Sequence, residues 1–89
     1  MKPLYAQNRS IAWRDLEGES VLIDPSCGTV FVLNELGSRI WRALESPTDE
    51  ASIVETIEET CSDVPPSVAD EVAIFLSALR ERGLIARAS

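Results

Sequence analysis

Apolar and polar residues alternate through the first third of the chain, which predicts three short β-strands. The alternating segments are residues 10–16, Glu19–Asp24 and Thr29–Leu33. Glu17-Gly18 separates the first two segments, and Asp24-Pro-Ser-Cys-Gly separates the second and third. Both connections have the composition of tight turns. Because consecutive strands joined by short turns pair antiparallel, we expect a three-stranded antiparallel meander.

The third predicted strand is apolar on both of its faces. Val30 and Val32 point to one side, and Phe31 and Leu33 point to the other. The strand also ends the meander, so no following strand is predicted to cover its second edge. An apolar edge is an aggregation hazard unless another chain pairs with it. The pattern therefore indicates an edge suited to holding an extended peptide.

Apolar positions recur every three or four residues in the rest of the chain, which predicts three helices. Their apolar stripes are Leu36, Ile40, Trp41 and Leu44; then Ile53, Val54, Ile57 and Cys61; then Val68, Val72, Phe75, Leu76 and Leu79. Strands followed by helices indicate an α+β domain with the helices on one face of the sheet, and the short helices also suit a winged-helix-like arrangement. We expect residues 1–9 to form a flexible or loosely docked arm and residues 10–89 to form the domain.

Polar residues and one glycine mark the predicted helix ends. Asn34 is expected to cap the first helix, and Thr48 or Asp49 the second. Ser67, followed three residues later by an acidic residue, resembles a capping box at the start of the third helix. Gly83 suits the C-terminal end of that helix, and the residues after it are expected to return to the core.

Composition narrows the classes of function. The chain has 89 residues, 45% of them apolar, which is enough for one small domain. It has no histidine, the commonest general base and metal ligand, so we expect no catalysis, no metal and no cofactor. The net charge of −7 disfavours partnership with nucleic acid or an anionic membrane.

The chain also lacks the sequence features of an exported or membrane protein. No run of 18 or more apolar residues is present, and the first residues have no apolar signal-peptide core. We therefore expect a cytoplasmic protein. Cys27 and Cys61 are then expected to be free thiols, because disulfides are rare in that compartment.

The ordered set of residues from Glu19 to Trp41 carries a family resemblance. It reads E-S-V-L-I-D-P-S-C-G-T-V-F-V-L-N-E-L-G-S-R-I-W, and D-E-V-A-I-F-L-S-A-L-R-E-R-G-L-I follows near the C-terminus. Over residues 11–85 the chain resembles the PqqD family, whose domain is also called the RiPP recognition element, after ribosomally synthesised and post-translationally modified peptides. The D-P-x-x-G and L-N-x-x-G features look more like stand-alone PqqD-like proteins and leader-binding proteins of lasso-peptide pathways.

The resemblance implies a domain that binds the leader segment of a precursor peptide and presents it to a modifying enzyme. Such an enzyme would be a radical SAM protein, a cyclase or a peptidase, and the domain itself would perform no chemistry. The leader is expected to add a strand beside the third strand and to lie against the third helix. The residues that this implies are Thr29, Val30, Phe31, Val32 and Leu33 on the strand, and Ala69, Val72, Ala73, Leu76, Ser77 and Arg80 on the helix.

On that helix, the flank that we expect to face the peptide consists of Ala69, Ala73, Ser77 and Arg80. Its small residues would let a peptide backbone approach closely, and Arg80 is in position to pair with an acidic leader residue. The two alanines are equally well explained as good helix formers.

Two other interpretations of the pattern are weighed beside this one. The exposed third strand could pair with its own copy, which would give a homodimerising structural or adaptor module. A winged-helix regulator of DNA is disfavoured, because its recognition helix would begin with Asp70 and Glu71 and carry no base there.

Overall fold

The protein is described by a computed structural model, which covers residues 3–60, 64 and 66–88. Its elements in chain order are β1 (Tyr5–Gln7), β2 (Ala12–Leu16), β3 (Glu19–Asp24), β4 (Thr29–Leu33), α1 (Glu35–Ala43), α2 (Glu50–Thr60), α3 (Val68–Glu81) and β5 (Ile85–Arg87). Strands β2, β3 and β4 form an antiparallel sheet in that order. The three helices follow this sheet, which confirms the predicted α+β class.

One face of the three-stranded sheet packs against the helices. Leu22 at the centre of β3 is fully buried between its cross-strand partners Trp13 and Phe31. The ring of Trp41 in α1 meets Trp13 edge-on, with ring centroids 6.1 Å apart. Because side chains alternate along a strand, the residues between these point away from the helices. The core therefore lies between one sheet face and the helices.

Two of the three predicted N-terminal helix caps are present in the structure. The Asn34 side chain accepts a hydrogen bond from the Gly37 amide at 2.8 Å, which confirms the cap of α1. Asp49, the second of the two candidates for α2, accepts one from the Ser52 amide at 2.7 Å. The capping box predicted at Ser67 is wrong, since Ser67 makes no side-chain cap hydrogen bond. Its ψ of 13° departs from the extended backbone that aims a cap side chain at the free amides.

The end of α3 matches the prediction. Gly83 has a φ of +70°, which a residue with a side chain rarely adopts. Its amide donates to the Arg80 carbonyl, and the Leu84 amide donates to the Leu79 carbonyl, the two bonds of a Schellman cap. The chain then returns to the core, where Leu84 and Ile85 are buried.

A second sheet holds the N-terminal segment against the body. Tyr5–Gln7 pairs antiparallel with Ile85–Arg87. The Tyr5 amide donates to the Thr48 carbonyl, and the Gln7 side chain donates to the Trp41 carbonyl at 2.8 Å. The sequence did not predict these two strands, because three residues are too few for a readable alternation.

The turn between β3 and β4 is tied by local hydrogen bonds. Asp24 accepts from both the amide and the hydroxyl of Ser26, and these bonds, with a weaker one from Cys27, hold the pKa of Asp24 below its ordinary value. Cys27 is exposed and free, as predicted, while Cys61 lies outside the described residues. In the part of the chain that the structure describes, no helix is long and apolar enough to cross a membrane.

Candidate peptide-binding site

Strand β4 has one edge paired with β3, and no strand covers its other edge within the described residues. The turn on the far side of β3 determines which backbone groups face this free edge. Glu17 and Gly18 both have positive φ and join Leu16 directly to Glu19. A two-residue hairpin of this kind closes on a hydrogen-bonded pair. Every second residue of β3, beginning with Glu19, therefore bonds to β2, and the residues between them bond to β4.

The register between β3 and β4 carries this alternation to the free edge. Thr29, Phe31 and Leu33 are the partners of the β3 residues that bond toward β4. Their backbone groups point to β3, so the N–H and C=O groups of Val30 and Val32 point outward. The free edge thus offers two donors and two acceptors to an added strand.

An apolar groove of about 420 Å³ runs beside this edge, between β4 and α3. Phe75 forms part of its wall and is half-buried. A Cβ on Gly37 would lie 3.1 Å from the Phe75 ring, so the glycine allows the start of α1 to approach that ring closely. Further lining residues are Val32, Leu33, Asn34, Leu36, Ile40, Glu71, Ile74 and Ala78. Free backbone groups and an apolar groove are therefore side by side.

The predicted strand residues lie at this groove and its edge. Val30 and Val32 are exposed, and their side chains point away from the helices. Phe31 and Leu33 lie on the opposite face from Val30 and Val32, as the alternation predicted, and this face points toward the helices, where Leu33 lines the groove. Thr29 begins the strand and is exposed.

The helix residues predicted for peptide binding do not line this groove. Val72 and Leu76 are 0% and 2% exposed, so they belong to the core. Ala69 lines a different cavity together with Tyr5, and the Arg80 guanidinium stacks on the Tyr5 ring at 5.4 Å. Ala73 and Ser77 share that flank by helical spacing. A binding role for these residues stays a prediction, and the described groove is formed without them.

Sequence reasoning missed the flank of α3 that does line the groove. This flank consists of Glu71, Ile74, Phe75 and Ala78. The signal available in the sequence was Ile74, a large apolar residue at a position outside the apolar stripe of the helix. In the structure its side chain is 70% exposed. A large apolar residue at an exposed helix position is a candidate contact for a partner.

The outer face of the three-stranded sheet is a second apolar surface. Leu16, Ile23, Val30 and Val32 are each between 44% and 63% exposed. They are four of the five large hydrophobic side chains that are exposed in the described chain, and the register places all four on this face. We call these residues the outer sheet face. A contiguous apolar surface of this kind marks an interaction site more often than scattered apolar residues do.

Comparisons with known proteins agree with this architecture. The family model described as Coenzyme PQQ synthesis protein D (PqqD) matches residues 19–85. The solved structure of TbiB1 in complex with the TbiA(beta) leader peptide is 31% identical, with 90% of this chain and 93% of that chain covered and a TM-score of 0.78. Lasso peptide synthetase B1, complexed with its leader peptide, has 17% identity, coverage of 92% and 96%, and a TM-score of 0.76, which shows a shared fold. No curated protein matches the chain. By the extent of the family match and the identity to TbiB1, this chain belongs to the PqqD family.

Proposed function

We propose that this protein binds the leader segment of a ribosomally made precursor peptide and presents it to a modifying enzyme. The observation that carries the proposal is the free edge of β4 beside an apolar groove. TbiB1, which is 31% identical, is complexed with a leader peptide, and this supports the same class of ligand. The leader would pair with β4 as an additional strand, using the outward groups of Val30 and Val32.

The binding free energy requires the groove as well as the edge. About four backbone hydrogen bonds at roughly 0.5–1.5 kcal/mol each would contribute about 2–6 kcal/mol. A micromolar complex needs about 8 kcal/mol, and ordering a flexible leader adds a further cost. At least two apolar side chains buried in the groove, at about 1.5–3 kcal/mol each, are therefore required. We therefore propose that alternate leader side chains enter the groove while those between them face outward.

Direct titration tests the proposal. Fluorescently labelled peptides would cover the N-terminal segments of short reading frames beside this chain's gene, with the TbiA(beta) leader peptide as a reference probe. We expect at least one of the neighbouring segments to bind with a Kd of about 1 μM or below. A scrambled peptide of the same composition is the control. If no neighbouring segment binds better than its scrambled form, the proposed function is wrong.

The free edge is also the observation that favours a homodimer, in which β4 would pair with β4 of a second copy. The groove supports the peptide in preference, since it provides apolar contacts beyond the strand edge. Light scattering during the titration separates the homodimer from the peptide complex, because a second copy on β4 would have to leave before a leader binds.

We also propose that the protein acts in the cytoplasm, where precursor peptides are synthesised and an exposed thiol such as Cys27 stays reduced.

We further propose that the modifying enzyme docks on the outer sheet face. A leader added to β4 would extend that face, because its outward side chains would lie beside Val30 and Val32. An enzyme docked there would contact both the protein and its peptide. Leader loading would thereby enlarge the enzyme's docking surface.

Substitutions at the two residues of the outer sheet face that do not belong to β4 test this docking. In the double variant Leu16→Lys with Ile23→Lys, two exposed apolar contacts become charges, while the edge and groove are untouched. We expect leader affinity to stay within about twofold and processing by the neighbouring enzyme to fall at least about tenfold. Glu58→Lys, on the exposed side of α2, is the control for added positive charge. Unchanged processing by the double variant would contradict this docking site.

A further inference from the structure

We propose that Arg82 and Glu71 determine the charge pattern of the leader that the groove accepts. The selected segment would carry an acidic side chain at the Arg82 end and a basic side chain at the Glu71 end. This inference rests on the proposed function, and it names the chemistry by which the site would choose among peptides.

Glu71 lines the groove, whereas Arg82 lies beyond the lining residues, at the C-terminal end of α3. The Phe75 ring and the Leu33 side chain both lie beside Gly37, and Arg82 lies over Phe31. Strand β4 and helix α3 therefore run in opposite directions along the groove. Glu71 and Arg82 are eleven residues apart, which is about 16 Å along a helix. Phe31 is the middle residue of β4, so Arg82 lies over the middle of the strand. Glu71, one helical turn before Phe75, lies toward the Leu33 end of the strand.

Arg82 is held in place without being neutralised. Its guanidinium carbon is 5.3 Å from the centre of the Phe31 ring, a cation–π contact that keeps the charge over the strand. The ion pairs formed within the described residues are Arg39 with Glu35 and Arg42 with Asp15. Neither Arg82 nor Glu71 takes part in them, and both side chains are exposed.

A bound leader would change the surroundings of these two charges. A strand on β4 would remove water from the groove and from part of each charged group. An unpaired charge at a closed interface lowers affinity, whereas a complementary charge on the ligand removes that loss and orients the encounter. The groove therefore favours a leader with opposite charges at its two ends.

Arg80, which the sequence analysis placed against an acidic leader residue, provides the comparison. Two residues turn a helix by about 200°, so Arg80 and Arg82 point to different sides of α3. The Arg80 guanidinium is 5.4 Å from the Tyr5 ring, on the side of the N-terminal strand. Arg80→Glu and Arg82→Glu thus make the same change of charge at the two sides of one helix.

The test uses a displayed library of peptides of about 15 residues, with alternating apolar positions fixed and the others randomised, which is long enough to span the groove. Peptides are selected from this library in parallel for binding to four proteins: wild type, Arg82→Glu, Glu71→Lys and Arg80→Glu. We expect wild type and Arg80→Glu to enrich peptides with an acid at one end and a base at the other. Arg82→Glu should lose the preference for the acid, and Glu71→Lys the preference for the base.

Affinities complete the experiment. Against a peptide selected by wild type, Arg82→Glu should bind about tenfold more weakly, and replacing the peptide's acid with Lys should restore binding. Arg82→Gln, which removes the charge without reversing it, repeats the test if Arg82→Glu unfolds. If Arg82→Glu enriches the wild-type charge pattern, or if Arg80→Glu changes it equally, the inference is overturned and the proposed function stands. If wild type enriches no peptide, the proposed function itself fails.

Discussion

Val32→Pro is expected to abolish leader binding while leaving the domain folded. The Val32 N–H points to the free edge, so its loss spares the ladder between β3 and β4. The proline ring would occupy the position of that N–H and obstruct the approaching leader. A leader carbonyl left without its donor costs about 1–3 kcal/mol, and displacing the rest of the strand adds to this. We expect affinity to fall by about two orders of magnitude or more in a peptide titration.

Val32→Ala is the matched control for that experiment. It shortens the same exposed side chain but keeps the N–H, so leader affinity should stay within about fivefold of wild type. Thermal unfolding followed by circular dichroism should show both variants folded, since position 32 is 63% exposed. If Val32→Pro binds the leader as wild type does, strand addition at β4 is wrong.

The strands and turns of the meander were predictable because their signals are local. Alternation predicted that Val30 and Val32 lie on one face of β4 and Phe31 and Leu33 on the other, and Asp24-Pro-Ser-Cys-Gly predicted the turn before it. Asn34 was identifiable as a cap because a residue that accepts backbone hydrogen bonds precedes an apolar helical stripe. Each of these features depends on residues within a few positions of one another.

The groove was less predictable because it depends on contacts between distant segments. Helical periodicity predicts the core stripe of α3 but leaves open which neighbouring flank turns to β4. The close packing of Phe75 against Gly37 determines which flank faces β4, and these two residues are far apart in sequence. The same limit explains why β1 and β5 were missed, since Tyr5–Gln7 and Ile85–Arg87 pair from opposite ends of the chain.

Ile74→Lys is expected to weaken leader binding strongly with little effect on stability. Ile74 lines the groove and is 70% exposed in the free protein, so its replacement should change the free energy of unfolding by no more than about 0.5 kcal/mol. In the complex, the variant loses an apolar contact worth about 1.5–3 kcal/mol and places an ammonium group where the leader closes over the groove. We therefore expect a loss of about tenfold to a hundredfold in the same titration.

Ala69→Lys is the matched control for Ile74→Lys and decides which flank of α3 binds the leader. It adds the same charge to an exposed position of the same helix, about 140° around the helix from Ile74 and beside the cavity that Tyr5 lines. If the groove beside β4 holds the leader, Ala69→Lys should bind with wild-type affinity. The reverse result, with Ala69→Lys impaired and Ile74→Lys unaffected, would move the site to the cavity beside Tyr5. In that case the leader could not pair with β4 and contact the impaired flank at once, because the two lie on different sides of α3.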